Sequence, residues 1–363
     1  MIIESCRLVN FRNYDTLELQ LDKGINLFYG ENAQGKTNIL EALYLCGTTK
    51  SHRGAKDREM IRFDQEEAHI QMNVRRKDIP CRIDMHLKKN ASKGIAVNQV
   101  PIRKASQLLG IARFVFFSPE DLSIVKMGPV GRRRFLDMEL CQLNSLYLHH
   151  LGSYNRTLLQ RNKLLKDISF RPDLLSTLDL WDEQLVKYGS SLISLREEFI
   201  GMLNKLIGPI HASLSGGREQ LVLGYEKNTD AASFADRLYK EREKDLRYKT
   251  TGIGPHRDDI SFSDKDTDLR RFGSQGQQRT VALSLKLSEI ELVKKVSSDV
   301  PILLLDDVLS ELDSGRQKFL LESIRDTQTL LTATGTDYFE NKTFHIDRLF
   351  YVKDGKCQEE KNG

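Results

Sequence analysis

The sequence predicts an α/β fold in which a mostly helical segment interrupts the core. Two apolar strands carry this prediction: one at 25–29 runs into a glycine-rich loop and a helical stretch, and one at 302–305 ends in two aspartates. Fully apolar strands are typical of parallel sheets that are covered on both faces. The loop residue Lys36 and Asp306 lie 270 positions apart, far more than a compact core requires. Residues from about 119 to 210 have helical spacing and are therefore the expected insertion.

Composition places the chain among ordinary globular proteins. Its 363 residues favour about two domains, and 39% are apolar and 29% charged. The five cysteines are odd in number and include no Cys-x-x-Cys pair, so a disulfide framework or a zinc site is not expected. The net charge of +4 is too small to indicate nucleic-acid binding by itself. No segment resembles a signal peptide or a membrane span, so we expect a cytoplasmic protein.

Hydrophobic periodicity predicts the secondary structure along the chain. Leu17, Leu19 and Leu21 alternate with polar residues, which indicates a half-buried strand. We expect strands within 1–29, 66–104, 114–117, 221–225, 259–262 and 302–305, and helices at 38–46, 130–168, 174–207 and 276–297. Residues 169–173, which include Pro172, are expected to separate the helical stretches at 130–168 and 174–207, because proline opposes a continuing helix. The second of these stretches is expected to end near Gly208 and Pro209. These elements predict a core of two parts, 1–118 and 253–363, separated by a helical arm at 119–252.

A glycine-rich loop between the first apolar strand and its helix matches the phosphate-loop pattern G-x-x-x-x-G-K-[ST]. The matching residues, with the asparagine that follows them, are Gly30, Glu31, Asn32, Ala33, Gln34, Gly35, Lys36, Thr37 and Asn38. The glycines allow the backbone N–H groups to point at phosphate oxygens, and the helix N-terminus adds partial positive charge. Lys36 is expected to reach the β- and γ-phosphates, and the Thr37 hydroxyl to hold Mg²⁺.

The second apolar strand ends in Asp306 and Asp307, and ligands of parallel sheets bind beyond the carboxyl ends of strands. Asp306 is therefore expected to hold Mg²⁺ through water, and Asp307 to orient the attacking water as general base. Alone, an acidic turn after a strand is only moderately specific for this role. Combined with the phosphate loop, it predicts a nucleoside triphosphatase.

A second helix N-terminus also has the features of a phosphate-binding surface. Ser274 and Gln277 have the spacing of a capping box, and Gly276 allows a ligand to approach the backbone closely. A routine helix cap is an equally good interpretation of these residues alone. One chain does not easily bring this surface and the phosphate loop onto the same nucleotide.

The order of these motifs resembles that of ABC-type ATPases. Ser274–Gln277 resembles the signature motif, and residues 310–313 (SELD) resemble the D-loop that follows the two aspartates. In that superfamily the signature motif of one subunit completes the ATP site of the other. The resemblance therefore implies ATP and Mg²⁺ as cofactors, an ATP-dependent homodimer, and a role for Ser274 in catalysis beside Lys36, Asp306 and Asp307.

Further blocks narrow the resemblance to the RecF family of bacterial recombination mediators, which are SMC/Rad50-like ATPases. They occur in family order over about 300 residues, at 10–14 (NFRNY), 35–42 (GKTNILEA), 50–53 (KSHR), 117–122 (FSPEDL), 132–137 (RRRFLD) and 254–259 (GPHRDD). Two departures are the Gly128–Gly131 loop, where we expect a serine nearer the arginines, and the absence of the ABC switch histidine around residues 332–334.

This resemblance implies an ATPase head with a short helical arm and a weak, DNA-dependent ATPase that acts as a timer. It also implies binding to gapped DNA or to single-strand/double-strand junctions in the nucleoid. The implied partners are RecR and RecO, with which the family loads RecA at single-strand gaps during replication, repair and the SOS response. Alternatives are an SMC-like structural DNA tether and the ATPase subunit of an ABC transporter; the long insertion and the absence of a Cys-x-x-Cys hook count against them.

Candidate DNA contacts are less specific. Arg132, Arg133 and Arg134 form the densest basic cluster, and arginines bind the phosphate backbone without reading sequence. These arginines are equally suited to pairing with carboxylates. Arg12 resembles a phosphate-contacting residue of SMC-like heads. His256 and Arg257 are more typical of a structural turn than of a catalytic cluster, and no metal site beyond Mg²⁺ is expected.

Overall fold

The computed structural model describes residues 1–336 and 345–360. Its strands are β1 Ile2–Phe11, β2 Tyr14–Gln20, β3 Ile25–Tyr29, β4 Glu67–Arg76, β5 Ile79–Lys88, β6 Gly94–Val97, β7 Val100–Pro101, β8 Phe114–Phe117, β9 Leu221–Glu226, β10 Asp259–Asp264, β11 Thr267–Asp268, β12 Ile302–Asp306, β13 Thr329–Ala333, β14 Arg348–Lys353 and β15 Lys356–Glu360. Its α-helices are α1 Lys36–Thr48, α2 Asp57–Met60, α3 Pro129–Leu143, α4 Ser145–Asp167, α5 Leu178–Ser215, α6 Phe234–Lys240, α7 Arg242–Tyr248, α8 Leu269–Phe272, α9 Gln275–Ser297 and α10 Ser314–Ser323.

Contacts divide the chain into two compact units. The first consists of Met1–Leu122 together with Glu289–Gly363, and the second of Ser123–Ser288. The second unit is thus inserted into the first. It includes the start of α9, because residues 253–288 group with the helical arm and not with the core. The expected three segments at 1–118, 119–252 and 253–363 stay a prediction.

The first unit contains two six-stranded sheets. One has the order β15-β14-β3-β13-β12-β8, in which β14, β3, β13, β12 and β8 run parallel. The other is antiparallel, with the order β2-β1-β4-β5-β6-β7. Helix α1 contacts strands of both sheets, and its Ile39, Leu40 and Leu43 are fully buried. Because β3 and β12 are covered on both faces, their apolar sequences are explained by burial.

The second unit is mostly helical, with the three-stranded antiparallel sheet β11-β10-β9 packed against α5 and α3. The helical stretch expected at 130–168 is two helices, α3 and α4. Asn144 separates them, and its side chain accepts hydrogen bonds from the backbone N–H groups of Leu146 (2.9 Å) and Tyr147 (3.1 Å). Asparagine is a preferred N-cap residue, so the sequence contains a signal for this helix boundary.

The expected helix end near Pro209 is wrong, because α5 continues through the proline to Ser215. Proline removes one backbone hydrogen bond, but the following turn is anchored by His211, which is fully buried. Its ring nitrogens lie 2.9 Å from Ser284 Oγ and 3.0 Å from a Glu219 carboxylate oxygen. The helix ends instead at Gly216, whose φ of 65° is the left-handed conformation that glycine adopts readily.

Candidate nucleotide-binding site

The loop between β3 and α1 has the backbone geometry of a phosphate cradle. Gly30 and Gly35 have φ values of 145° and 116°, which side-chain-bearing residues rarely adopt. A Cβ atom at Gly30 would lie 2.3 Å from the Val352 carbonyl oxygen, and one at Gly35 would lie 2.5 Å from Asn13 Nδ2. Both positions therefore require glycine. Residues 31–33 between them are exposed, so their backbone is accessible to a ligand.

Lys36 begins α1, and its side chain folds back over the loop. Its Nζ donates hydrogen bonds to the carbonyl oxygens of Gly30 (2.6 Å) and Glu31 (2.7 Å). Burial lowers the pKa of Lys36, and the nearby carboxylates of Asp307 and Asp306 oppose that shift. The ammonium group is thus held by uncharged carbonyls, which a phosphate oxygen can replace with a stronger, charge-assisted bond.

The predicted Mg²⁺ residues are in direct contact. Thr37 Oγ1 donates to Asp306 Oδ1 over 2.6 Å, joining the phosphate-loop helix to the end of β12. Thr332 Oγ1 donates to the same carboxylate oxygen over 2.8 Å. Asp306 is buried, and burial raises its pKa against the effect of the two hydroxyl donors. The arrangement brings together a hydroxyl and a buried carboxylate, which are hard oxygen donors suited to Mg²⁺.

Asp307 leaves β12 in a left-handed conformation, with a φ of 51°. Its backbone N–H donates to Thr332 Oγ1 over 2.9 Å, and its carbonyl oxygen accepts from Ser310 Oγ over 2.7 Å. Burial raises the pKa of Asp307, and Lys36 partly offsets this. Because its backbone is held at both ends, the carboxyl group projects from a defined position near Lys36.

Sequence reasoning missed Thr332 as a site residue. It lies on β13, the strand between β3 and β12, and the register pairs it with Asp306 on one side and Phe28 on the other. Its hydroxyl holds both the Asp306 side chain and the Asp307 backbone. In the sequence it was noticed only because no histidine stands there. Strand order, which the sequence did not predict, explains its role.

Asn13 and the β14–β15 turn, also missed, support the phosphate loop. Asn13 Nδ2 donates to the Gln34 carbonyl oxygen (2.8 Å), and Asn13 Oδ1 accepts from Asn38 Nδ2 (2.9 Å). The backbone N–H of Asp354 donates to Gln34 Oε1 over 2.7 Å. Asn13 adjoins Arg12 in the NFRNY block, but its amide has no recognisable pattern of its own. These contacts hold Gln34 and Asn38 beside the cradle.

Arg12 is engaged by a buried carboxylate. Its guanidinium donates to both oxygens of Glu41, over 2.7 and 2.8 Å, and to the Glu59 carbonyl oxygen over 2.8 Å. Burial alone raises the pKa of Glu41, but hydrogen bonds from Arg12 and Ser51 outweigh it, so the net pKa lies below its ordinary value. The Arg12 side chain keeps 20% of its surface exposed. Its predicted phosphate contact stays a prediction.

Beside the phosphate loop lies a cleft of about 630 Å³. It is lined by Arg12, Asn13, Asn38, Arg58, Glu59, Ile61, Arg62 and Phe63. Phe63 is 89% exposed, which is unusual for a phenylalanine side chain. The cleft thus combines an exposed aromatic ring, three arginines and two asparagine amides next to the loop.

The start of α9, in the second unit, has the predicted capping box. The Ser274 backbone N–H donates to Gln277 Oε1 (2.9 Å), and the Gln277 N–H donates to Ser274 Oγ (3.2 Å). Ser274 and Gln275 are exposed, and Gly276 is half-buried. The capping box is therefore confirmed, and it leaves this helix N-terminus at the surface of its unit.

The three arginines of α3 differ in their surroundings. Arg132 is buried and pairs with both carboxylate oxygens of Asp259, over 2.6 and 2.7 Å. Arg133 is half-buried and donates to the Asp258 carbonyl oxygen over 2.6 Å, whereas Arg134 is exposed. The carboxylate-pairing interpretation therefore holds for Arg132, whose guanidinium is not accessible to a DNA backbone. Of the predicted DNA contacts, only Arg134 is exposed.

His256, in the GPHRDD block, is part of a buried hydrogen-bond network. Its Nδ1 lies 2.6 Å from the Tyr154 hydroxyl, and its Nε2 lies 3.0 Å from the Thr251 carbonyl oxygen. Burial lowers the pKa of His256 to about 4. The structural interpretation of this turn agrees with these contacts.

None of the helices in the described part of the chain has the length and apolar character of a membrane span.

Known proteins of similar sequence and structure show the family of the chain. The RecF/RecN/SMC N-terminal domain family model matches residues 2–358. A curated relative, the DNA replication and repair protein RecF of Agathobacter rectalis, is 58% identical over 99% of both chains. The solved structure of the recombination mediator protein RecF bound to ATP, of the RecFOR pathway, matches with a TM-score of 0.92, 35% identity and coverage of 99% of this chain and 97% of that one. An Smc head domain from Pyrococcus furiosus, at 17% identity and a TM-score of 0.58, shares the fold.

Proposed function

The chain belongs to the RecF family of DNA replication and repair proteins, with the ABC-type head fold that the sequence predicted, and we propose that it is an ATP-gated DNA-binding protein of recombinational repair. The observation that carries the proposal is the hydrogen bond from Thr37 to Asp306, 2.6 Å long, next to a loop in which positions 30 and 35 require glycine. It joins the two halves of a triphosphate site from positions far apart in the chain. ATP is the ligand of the solved relative.

Different residues of the first unit bind different parts of ATP. Backbone N–H groups of Glu31 to Thr37 hold the phosphates, and Lys36 exchanges its bonds to loop carbonyls for bonds to phosphate oxygens. The adjoining cleft receives the ribose and base, where Phe63 offers an aromatic face and Arg12 a cation near the phosphates. The Asn13 and Asn38 amides keep the loop beside this cleft.

Thr37 and Asp306 fit a magnesium ion, because a buried carboxylate with a raised pKa is stabilised by a cation. The chemistry supplied there is neutralisation of charge on the β- and γ-phosphates. Thr332 orients the Asp306 carboxylate and holds the Asp307 backbone, so that Asp307 can accept a proton from the attacking water. Catalysis is then positional and electrostatic, and turnover is slow.

The signature helix completes the site from a second chain. Ser274 and Gln277 fix the exposed start of α9, and Gly276 allows close approach of a γ-phosphate. We assign hydrolysis the role of a timer that opens this dimer. DNA binding, with gapped or junction DNA as the preferred form, and cooperation with RecO and RecR in loading RecA complete the proposed function. The RecFOR pathway of the solved relative supports this assignment of partners.

Sedimentation with and without ATP tests the proposal. Wild-type protein with ATP and Mg²⁺ should sediment as a dimer, and Lys36→Ala should remain monomeric because it lacks ATP. Ser274→Arg should bind ATP normally but fail to dimerise. Ser145→Arg, the same change at another exposed helix start, is the matched control and should dimerise.

Normal dimers of Ser274→Arg would remove the signature helix from the site. ATP binding by Lys36→Ala with wild-type affinity would contradict the phosphate-loop assignment. Repeating the measurement on gapped, duplex and single-stranded DNA then tests the DNA preference, because only the preferred form should increase the ATP-dependent dimer.

A further inference from the structure

The outer face of the antiparallel sheet contains a group of metal-ligating side chains remote in sequence from the ATP motifs. Strands β4 and β5 pair so that His69 lies directly opposite His86. Glu67 precedes His69 by two positions, and alternate residues of a strand share a face. Ala68, Ile70, Met85 and Leu87 point to the opposite, buried face, so the histidines and the glutamate are directed away from the core.

These three side chains converge. The two imidazole rings stack with centroids 4.0 Å apart and an interplanar angle of 23°. Glu67 Oε2 lies 2.7 Å from His86 Nε2 and 4.0 Å from His69 Nε2. One ligand atom from each residue lies within 4.8 Å of the others. Two nitrogen donors and one carboxylate oxygen therefore lie close enough together to be brought onto one ion by small side-chain rotations.

The surroundings leave room for an ion. His69 and His86 line a cleft of about 590 Å³. On the far side of His86 the register places Gly94 of β6, which has no side chain to cover the ring. The side chains of His69, Glu67 and His86 are 53%, 49% and 29% exposed, so small rotations are unobstructed by the core.

We propose that Glu67, His69 and His86 form a surface site for a borderline divalent transition metal ion of the Zn²⁺ class. Imidazole nitrogens with one carboxylate suit Zn²⁺ and its neighbours, whereas Mg²⁺ prefers oxygen ligands alone. Zinc–ligand distances of about 2.0–2.2 Å place tetrahedral donors roughly 3.3–3.5 Å apart, so the three groups need to move by only about 1 Å. A water molecule supplies the fourth ligand. The ion links β4 to β5 and thereby stabilises the edge half of this sheet.

The position of the ligands in the chain explains why the sequence did not reveal this site. Its ligands are separated by the β4–β5 hairpin and lack the short spacing of a zinc motif. Only the antiparallel register brings His69 and His86 together. The proposal is independent of ATP, and its test has a readout that does not involve turnover.

Calorimetric titration of the metal-free full-length protein with ZnCl₂, in excess Mg²⁺ to saturate oxygen-ligand sites, tests the proposal. We expect one tight Zn²⁺ site per chain and a Zn²⁺-dependent rise in the melting temperature. The double variant His69→Gln with His86→Gln should weaken this site at least about tenfold and abolish the rise. The matched control, His149→Gln with His150→Gln, removes the adjacent histidine pair of α4 and should bind Zn²⁺ like the wild type.

ATP binding should be unchanged in both double variants. Glu67→Gln alone should weaken Zn²⁺ binding by loss of the charged ligand, and it provides a second test should the double variant not fold. Equal affinity of wild type and the β4–β5 variants, or an equal loss in the α4 control, would overturn the proposal.

Discussion

The phosphate loop and the arginine-rich start of α3 each hold a buried cation, Lys36 and Arg132, but they hold it in different ways. Lys36 is bound by the backbone carbonyls of Gly30 and Glu31, which carry no net charge. Arg132 is bound by both oxygens of the Asp259 carboxylate in a buried pair. A phosphate can displace carbonyl partners, because an anion binds the ammonium more strongly. It cannot readily displace a buried carboxylate, so only the first charge remains available to a ligand.

Two more arginines of the second unit extend the contrast. Arg161 is fully buried between Asp182 and Asp245, at 2.6 and 2.7 Å. Arg196 donates to Asp137 (2.8 Å), to Asp258 (3.2 Å) and to the Pro255 carbonyl oxygen (2.7 Å). These networks connect the arm helices to the turn that contains the GPHRDD block. Arg161 and Arg196 are therefore buried ion-pair residues, whereas Lys36 is hydrogen-bonded to backbone carbonyls that an anion can replace.

The largest expected effect concerns Arg196. Arg196→Ala should lower the free energy of unfolding by about 3–5 kcal/mol, because it leaves buried carboxylates without their partner. Urea denaturation measures this loss. The exposed Arg171→Ala is the control and should change stability by less than about 0.5 kcal/mol. A small loss of stability in Arg196→Ala would contradict the contrast between the two regions. It would show that the buried ion pairs of Arg196 do not stabilise the second unit.

The second prediction concerns pH and Asp306. Burial raises the folded-state pKa of Asp306 above its ordinary value, so its ionised form costs stability. The cost is absent below the unfolded pKa of 3.8, grows as the pH rises towards the raised pKa, and is complete above it. Without Mg²⁺, Asp306→Asn should therefore raise the melting temperature, more at pH 8 than at pH 5.

Asparagine keeps an acceptor oxygen for Thr37 and Thr332, so the hydrogen bonds that now hold Asp306 can persist. Asp173→Asn, at a carboxylate with a 71% exposed side chain, is the control and should show no such pH-dependent gain. An equal gain at both pH values, or a loss of stability, would contradict the prediction. It would show that ionisation of the buried Asp306 carboxylate does not destabilise the protein when Mg²⁺ is absent.

The smallest expected effect distinguishes among the arginines of α3. Arg134→Ala should weaken DNA binding several-fold and reduce the slope of log affinity against log salt by about 1. Fluorescence anisotropy across a salt series measures both. Arg103→Ala, at an exposed arginine of the first unit, should leave both values unchanged. An unchanged slope in Arg134→Ala would contradict its assignment as a DNA contact.

Local motifs predicted much of the fold and the centre of the site. Three features were expected in their places, because each depends on residues that are neighbours in the sequence. They are the strand and helix around the loop Gly30–Thr37, the apolar strand before Asp306 and the capping box of Ser274. Thr332 and Asn13 were not predicted, because each acts through partners that strand order and loop packing bring close. Pro209 was misjudged because local propensity opposed a helix that tertiary contacts of His211 maintain.

By itself, the sequence determined the glycine-rich loop with the phosphate-loop pattern, the two aspartates after the apolar strand and the large insertion between them, since these are properties of consecutive residues and of their spacing. The tertiary structure decided which charges remain accessible. Whether Lys36, Arg132 or Arg134 can bind a ligand depends on which distant group lies beside it, and a linear pattern does not contain that information. The same holds for His69 and His86, which only the antiparallel register makes neighbours.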